Sequence, residues 1–292
     1  MKKNFRVLAI LLFGVILFAF KADEAYENEI KDWHKKRVEG LKAENGWLNL
    51  AGLLWLEEGE NTFGGDIEND INFPKDRSKA SLGKFILKDG KVTVVANENA
   101  DIFQDDQPVK ELEIFPSEKP IVLKHQSLRW FIIKRGDKYA VRLRDLESQH
   151  LKDFKGIDTY PIQTAWNVKA KFEPTTGKKI AITDITGRTA DQDSPGTLVF
   201  NIKGKEYRLD AVGSEKNLFI LFADATNKKE TYGSGRFLYA SLPDADGYTW
   251  LDFNKSINPP CAFSPYATCP LPPKQNKLAL AVTAGEKKYG EH

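Results

Sequence analysis

Apolar and polar positions alternate in two rhythms along this chain, and the change of rhythm falls near residue 46. From Asp23 to Asn45 the larger apolar or amphipathic residues Tyr26, Ile30, Trp33, Arg37 and Leu41 recur every three or four positions, the spacing of one helix face. Acids crowd the start of this segment (Asp23, Glu24, Glu27, Glu29), and Lys35, Lys36, Arg37 and Lys42 follow. That order suits the helix dipole. The pattern predicts a helix over residues 23–46, stopped at Asn45-Gly46. From Trp47 onward, short apolar or alternating runs are cut by Gly, Asp and Asn. Phe85–Leu87 and Val92–Val95 flank Asp89-Gly90, a two-residue hairpin signal. Trp130–Ile133 and Tyr139–Leu143 flank Gly136-Asp137, and Leu198–Ile202 and Tyr207–Leu209 flank Gly204. Leu218–Phe222 and Phe237–Ala240 are further strands. The reading is a mainly β body behind one leading helix, built as two packed antiparallel β domains. A sandwich-like domain spans 47–152 and a second β domain spans 153–292, with the connection near 153–161.

The first residues read as an address. Lys2, Lys3 and Arg6 precede Val7–Phe20, an uncharged run too short to span a bilayer of roughly 20 helical residues and suited to a signal-peptide core. Residues 1–22 are therefore expected to direct export to the periplasm or beyond, with an uncleaved anchor as the alternative. No membrane span is expected in the mature chain. The 292 residues carry 43 Lys and Arg against 41 Asp and Glu, a net charge of +2. Four of the basic residues and no acid lie in residues 1–22, so the remainder stands at −2. That balance argues against a nucleic-acid partner, which calls for a basic stripe. Any anion recognition must be local.

Chemistry concentrates near the C-terminus. Phe222–Thr226 (with Asp224) is followed by Glu230–Arg236, which holds Thr231, Tyr232 and Arg236, then by Leu251–Asn254 with Asp252 and Asn254. Asn258–Pro273 packs six of the chain's 14 prolines among Cys261, Cys269, Phe263 and Tyr266. Prolines in aromatic company indicate a rigid packed loop rather than a disordered linker. Three readings of the cysteines stay open: a disulfide closing a short loop, two reduced buried thiols, or a catalytic thiolate (Cys261) or metal ligand. Arg236 pairs either with Asp224 or Asp252 as a structural ion pair or with a substrate anion. Asp101, Asp105 and Asp106 lack the spaced ligand series of a calcium loop. No metal or cofactor is expected.

These segments, with Gly46–Trp55 and the Asn-Pro-Pro-Cys-Ala-Phe string at 258–263, closely resemble the bacterial family called domain of unknown function 1684, over about residues 26 to 286. Arg144-Asp145-Leu146 departs from it where a Pro is expected after the Asp. The resemblance implies the architecture and the segments that matter, and it carries no established activity. A weaker similarity links Leu56–Gly64 and Asn69–Pro74 to the opening strands of forkhead-associated domains. Gly65 stands at that family's Arg position and Ser81–Lys84 offers no His, so the phosphothreonine chemistry is missing.

Three functions follow as expectations. The first is binding of a small polar or anionic ligand at the C-terminal β domain, through Asp224, Thr231, Tyr232, Arg236, Asn254 and Asn258. The second is a hydrolase-type enzyme using Asp252 or Glu286, with or without Cys261. The third is a structural or interaction protein of the cell envelope.

Overall fold

The computed structural model describes residues 23–213 and 216–290; the expected export signal lies outside the described residues. The chain is mainly β, with one long N-terminal helix and several antiparallel sheets. It divides into two units, one of residues 41–155 and one in which the helix up to Gly40 joins residues 156–292.

Helix α1 covers residues 23–42, a few residues shorter than expected. The chain leaves it through a turn in which the Gly46 N–H donates to the Ala43 carbonyl at 2.7 Å.

The unit of residues 41–155 contains β1 (Leu50–Leu56), β2 (Gly59–Gly64), β3 (Ile71–Asn72), β4 (Gly83–Lys88), β5 (Lys91–Ala96), β6 (Phe103–Gln104), β7 (Gln107–Pro108), β8 (Glu111–Phe115), β9 (Leu123–His125), β10 (Leu128–Arg135) and β11 (Lys138–Asp145), then the short helix α2 (Gln149–Asp153). One sheet runs β1-β11-β10-β9-β6-β7 and the other β3-β2-β4-β5-β8. Phe63, Phe85 and Val94 of the second sheet share one core with Trp130, Val141 and Leu143 of the first, which makes the unit a sandwich. Alternation does the sorting: in β4 the buried Phe85 and Leu87 alternate with less buried neighbours. The β4–β5 turn is the expected one, with Asp89 and Gly90 at φ of 51° and 77°, both left-handed as a type I′ hairpin requires. The segment that resembles a forkhead-associated opening forms β2 and β3, which pair in parallel at the sheet edge.

The other unit contains β12 (Asn167–Pro174), β13 (Lys179–Thr183), β14 (Thr189–Asp193), β15 (Gly196–Ile202), β16 (Lys205–Ala211), β17 (Leu218–Phe222), β18 (Arg236–Ala240) and β19 (Tyr248–Asp252). A four-stranded sheet, β16-β15-β12-β19, and the β17-β18 pair bury Phe200, Leu209, Ile220, Leu238, Leu251 and Phe253 in one core. The β13-β14 hairpin stands apart as its own two-stranded sheet. After β19 the chain has no further strand among the described residues, only turns and short 3-10 helices laid over the core. The Pro-rich loop and the chain end belong to this covering.

Candidate functional site

Arg236 opens β18, and its side chain runs into the interior with 0% exposure. Its Nη2 donates to Asp224 Oδ2 at 2.8 Å and to the Val282 carbonyl at 2.9 Å, and Nη1 donates to the Ala284 carbonyl at 2.5 Å. The guanidinium also lies 5.3 Å from the centre of the Phe222 ring. Asp224 is equally occupied: its Oδ1 accepts from Thr226 N, Thr226 Oγ1 and Val282 N at 2.9, 2.6 and 3.2 Å. The Thr226 and Thr231 hydroxyls meet at 2.8 Å, and Asn227 Nδ2 donates to Thr231 Oγ1 and the Tyr232 carbonyl. A buried charge survives only when paired and hydrogen-bonded. The Asp-Ala-Thr and Gly-Arg segments are thus two halves of one buried ion pair, and a solute cannot reach Arg236.

Asp252, Asn254, Asn258 and Glu286 gather around helix α1. Tyr26 donates its hydroxyl hydrogen to Asp252 Oδ1 at 2.8 Å, and Asn254 Nδ2 donates to the Tyr26 oxygen at 2.9 Å. His34 Nε2 lies 3.0 Å from the Asn254 carbonyl, an acceptor, so Nε2 is the protonated nitrogen. Arg37 donates through Nε to Glu286 Oε1 and through Nη2 to the Asn258 carbonyl, both at 3.1 Å. The Asn258 N–H donates to the other Glu286 oxygen at 2.6 Å. Burial holds the Glu286 carboxyl above the ordinary carboxylate range, Arg37 opposing it, and burial pushes His34 down. Tyr26 is raised by burial first and by Asp252 second. Tyr26 and Arg37 sit on the helix face read from the sequence. Their polar partners lie more than 200 residues away, so nothing local announced the network.

Cys261 and Cys269 are unbridged thiols. The Cys261 N–H donates to Cys269 Sγ at 2.9 Å. Hydrogen bonds from Cys269 and then from Tyr232 bring the Cys261 thiol down to about 7, against the opposing effect of burial. Tyr232 is buried, and its hydroxyl is pushed up by burial and by the neighbouring sulfurs.

The signature loops wall a cavity of ≈490 Å³ between residues 223–234 and 271–278. Asp224, Asn227, Lys228, Ser234, Pro272 and Lys277 are among its lining residues. Of the residues singled out from the sequence, Asp224 lines it; Thr231, Tyr232, Arg236, Asp252, Asn254, Asn258, Cys261 and Glu286 do not. Lys228 and Lys277 escaped sequence reading because surface lysines outside a motif carry no pattern. A larger cleft of ≈820 Å³ lies on β12 and β15; none of these groups lines it, although its wall residue Gln163 is hydrogen-bonded to Asn254. Among the described residues, no group of three or more His, Cys, Asp or Glu side chains is placed to hold a metal ion, and no helix is long and apolar enough to cross a membrane.

Fold and site together define a mainly β protein whose C-terminal loops are knitted by buried ion pairs around a small cavity. Residues 152–287, which hold all of these loops, match the family described as "Protein of unknown function (DUF1684)", and over that segment the chain belongs to it. Among solved structures, an uncharacterised protein of Haloarcula marismortui determined by NMR in solution is 31% identical. That match covers 49% of this chain and 82% of that one, with a TM-score of 0.41. No curated protein matches the chain.

Proposed function

We propose that the protein binds a small anionic solute in the cavity between residues 223–234 and 271–278. The observation that carries this reading is the charge of the wall. Its lining residues include two lysines, Lys228 and Lys277, and one carboxylate, Asp224, which Arg236 already neutralises at 2.8 Å. The cavity therefore presents a net positive lining in a chain whose global field is near zero. Ser234 and Asn227 add neutral polar groups, and Leu271, Pro272 and Leu278 supply a rigid apolar side. The expected contacts thus shift from Arg236, Tyr232 and Asn254 to the two lysines and Ser234. Arg236 and Asp224 act beneath them by fixing the loop. The hydrolase alternative gains no support from this cavity or the larger cleft, since neither Asp252 nor Glu286 lines them. Export by residues 1–22 remains part of the proposal, and in an oxidising compartment the two cysteines would rest as a disulfide.

A thermal-shift screen tests the reading. Inorganic phosphate, sulfate and small dicarboxylates should raise the melting temperature with increasing concentration, as any ligand of the native state does, and glycerol and neutral sugars should not. Ser234→Phe, which fills the cavity, should abolish the response. An equal response to charged and neutral solutes, or a response that survives Ser234→Phe, would remove the basis for it.

A further inference from the structure

We propose that Cys261 and Cys269 form a dithiol–disulfide exchange centre for low-molecular-weight disulfides, with Cys261 as the attacking sulfur and Cys269 as the resolving one.

The two positions differ in the way this division of labour requires. Cys261 is half-buried, in the 3-10 turn Pro260–Ala262, and Cys269 is 2% exposed beneath it. A bulky reagent meets Cys261 first. The Cys261 N–H donates to Cys269 Sγ at 2.9 Å, so the resolving sulfur already lies against the residue that carries the attacking one. Tyr232 is buried, and the interaction of its hydroxyl with the Cys261 sulfur raises the one and lowers the other in proton affinity. An O–H donor aimed at a sulfur favours the thiolate, the reactive form. The lowered proton affinity of Cys261, to about 7, agrees with that geometry.

The loop is also held without a covalent link. The Ala262 and Phe263 N–H groups close turns onto Pro259 and Pro260 at 2.9 and 3.0 Å. Beyond Cys269, the Ile185 N–H donates to the Cys269 carbonyl at 2.9 Å, and the Leu271 N–H to the Thr183 carbonyl at 2.8 Å. A crosslink that the fold needs would leave a slack loop when opened. Here both ends of the Cys261–Cys269 segment are tied by backbone hydrogen bonds that do not involve the sulfurs, so the loop has anchors independent of its redox state.

The step balances as follows. The Cys261 thiolate attacks one sulfur of a small disulfide RSSR; a Cys261–SR bond forms, and RS⁻ leaves and takes up the proton that Cys261 gave up. The Cys269 thiol loses its proton, and its sulfur attacks Cys261 Sγ. The Cys261–Cys269 bond forms, the Cys261–SR bond breaks, and the second RS⁻ leaves with that proton. Two protein thiols are oxidised by two electrons, and RSSR is reduced to two RSH. Excess RSH runs the sequence backwards.

The full chain, reduced and then exposed to oxidised glutathione, is read by intact mass and by peptide mapping after alkylation. Wild type should close the internal bond with loss of two hydrogens, and reduced glutathione should reopen it while the protein stays folded by circular dichroism. Cys269→Ser should trap one glutathione on Cys261, whereas Cys261→Ser should stay unmodified. Because either variant could fold poorly, wild type also carries a direct measure. Cys261 should alkylate roughly ten-fold faster than Cys269 at neutral pH, and Tyr232→Phe should move the pH midpoint of Cys261 alkylation upward. A bond that opens only on unfolding, an adduct that forms on Cys269 first, or a pH midpoint unmoved in Tyr232→Phe would overturn the proposal.

Discussion

Replacing Asp224 by Asn changes almost nothing in shape and removes one buried charge. Oδ1 keeps its three donors, Thr226 N, Thr226 Oγ1 and Val282 N. The group facing Arg236 Nη2 at 2.8 Å then becomes an N–H₂, which opposes a donor with a donor; the flipped amide would give Arg236 a neutral oxygen only by turning the N–H₂ onto those three donors. Arg236 has 0% exposure, so water cannot take the place of the lost carboxylate. Removing one partner of a buried pair costs about 3–5 kcal/mol. For a folding unit of this size, about 2–4 °C is lost per kcal/mol, so the melting temperature should fall by ~6–20 °C. Arg236→Lys is the paired control. It keeps the charge but loses the fork that reaches Asp224 and the Val282 and Ala284 carbonyls together, so it too should destabilise. Urea unfolding followed by tryptophan fluorescence gives the free energies directly. If Asp224→Asn melted within ~2 °C of wild type, the ion pair would not be the clamp of these loops, and the reasoning from burial would fail.

Three further outcomes follow from the same contacts. Gly235→Ala should destabilise by about 1–3 kcal/mol in urea unfolding, because φ is +95° and an added Cβ would lie 2.5 Å from Pro272 Cγ and 2.6 Å from the Phe222 carbonyl. Glu286→Ala should cost about 3–5 kcal/mol by the same measurement, since it strands Arg37 and the Asn258 N–H beside a cavity. The pH dependence has a definite sign. The folded-state proton affinity of Glu286 lies above its unfolded value, so its stabilising contribution is complete below about pH 4.3 and is lost as pH rises through the folded value. The stability deficit of Glu286→Gln relative to wild type should therefore shrink from pH 5 to pH 8; a deficit that grows over that range would contradict the assignment.

Much of the fold was legible where the local code is strong. Asp89-Gly90, Gly136 and Lys203-Gly204 each announce a reversal by left-handed backbone, and the flanking apolar runs became β4–β5, β10–β11 and β15–β16. Strands β12, β13 and β14 were not read. β12 carries Lys169, Lys171 and Glu173 on one face, and most of β14 is exposed, so neither shows an apolar run. Helix α1 was legible, and Ile30 and Leu41 are buried as its period demands. Its attachment was not legible, because Tyr26, His34 and Arg37 find their partners at Asp252, Asn254 and Glu286 through tertiary contact alone. At the candidate site the residues singled out from the sequence fall in the segments that fold together, but most of their side chains are spent on internal contacts. Motif residues such as Arg236 and Asn254 turn inward to build the loops, whereas Lys228 and Lys277 are exposed residues far apart in sequence that only the folded loops bring to one cavity.

The claim that this cavity receives an anion is tested most directly by isothermal titration. Inorganic phosphate and succinate are titrated into wild type and into the double variant Lys228→Ala/Lys277→Ala. Both lysines are exposed, so the variant should fold as wild type. Each charge-assisted contact to an anion is worth about 1.5–3 kcal/mol, so the variant should bind at least about ten-fold more weakly. The account predicts saturable one-to-one binding of at least one anion by wild type, with that loss in the variant. Equal affinity in the two proteins, or no saturable binding of either anion by wild type, would contradict it.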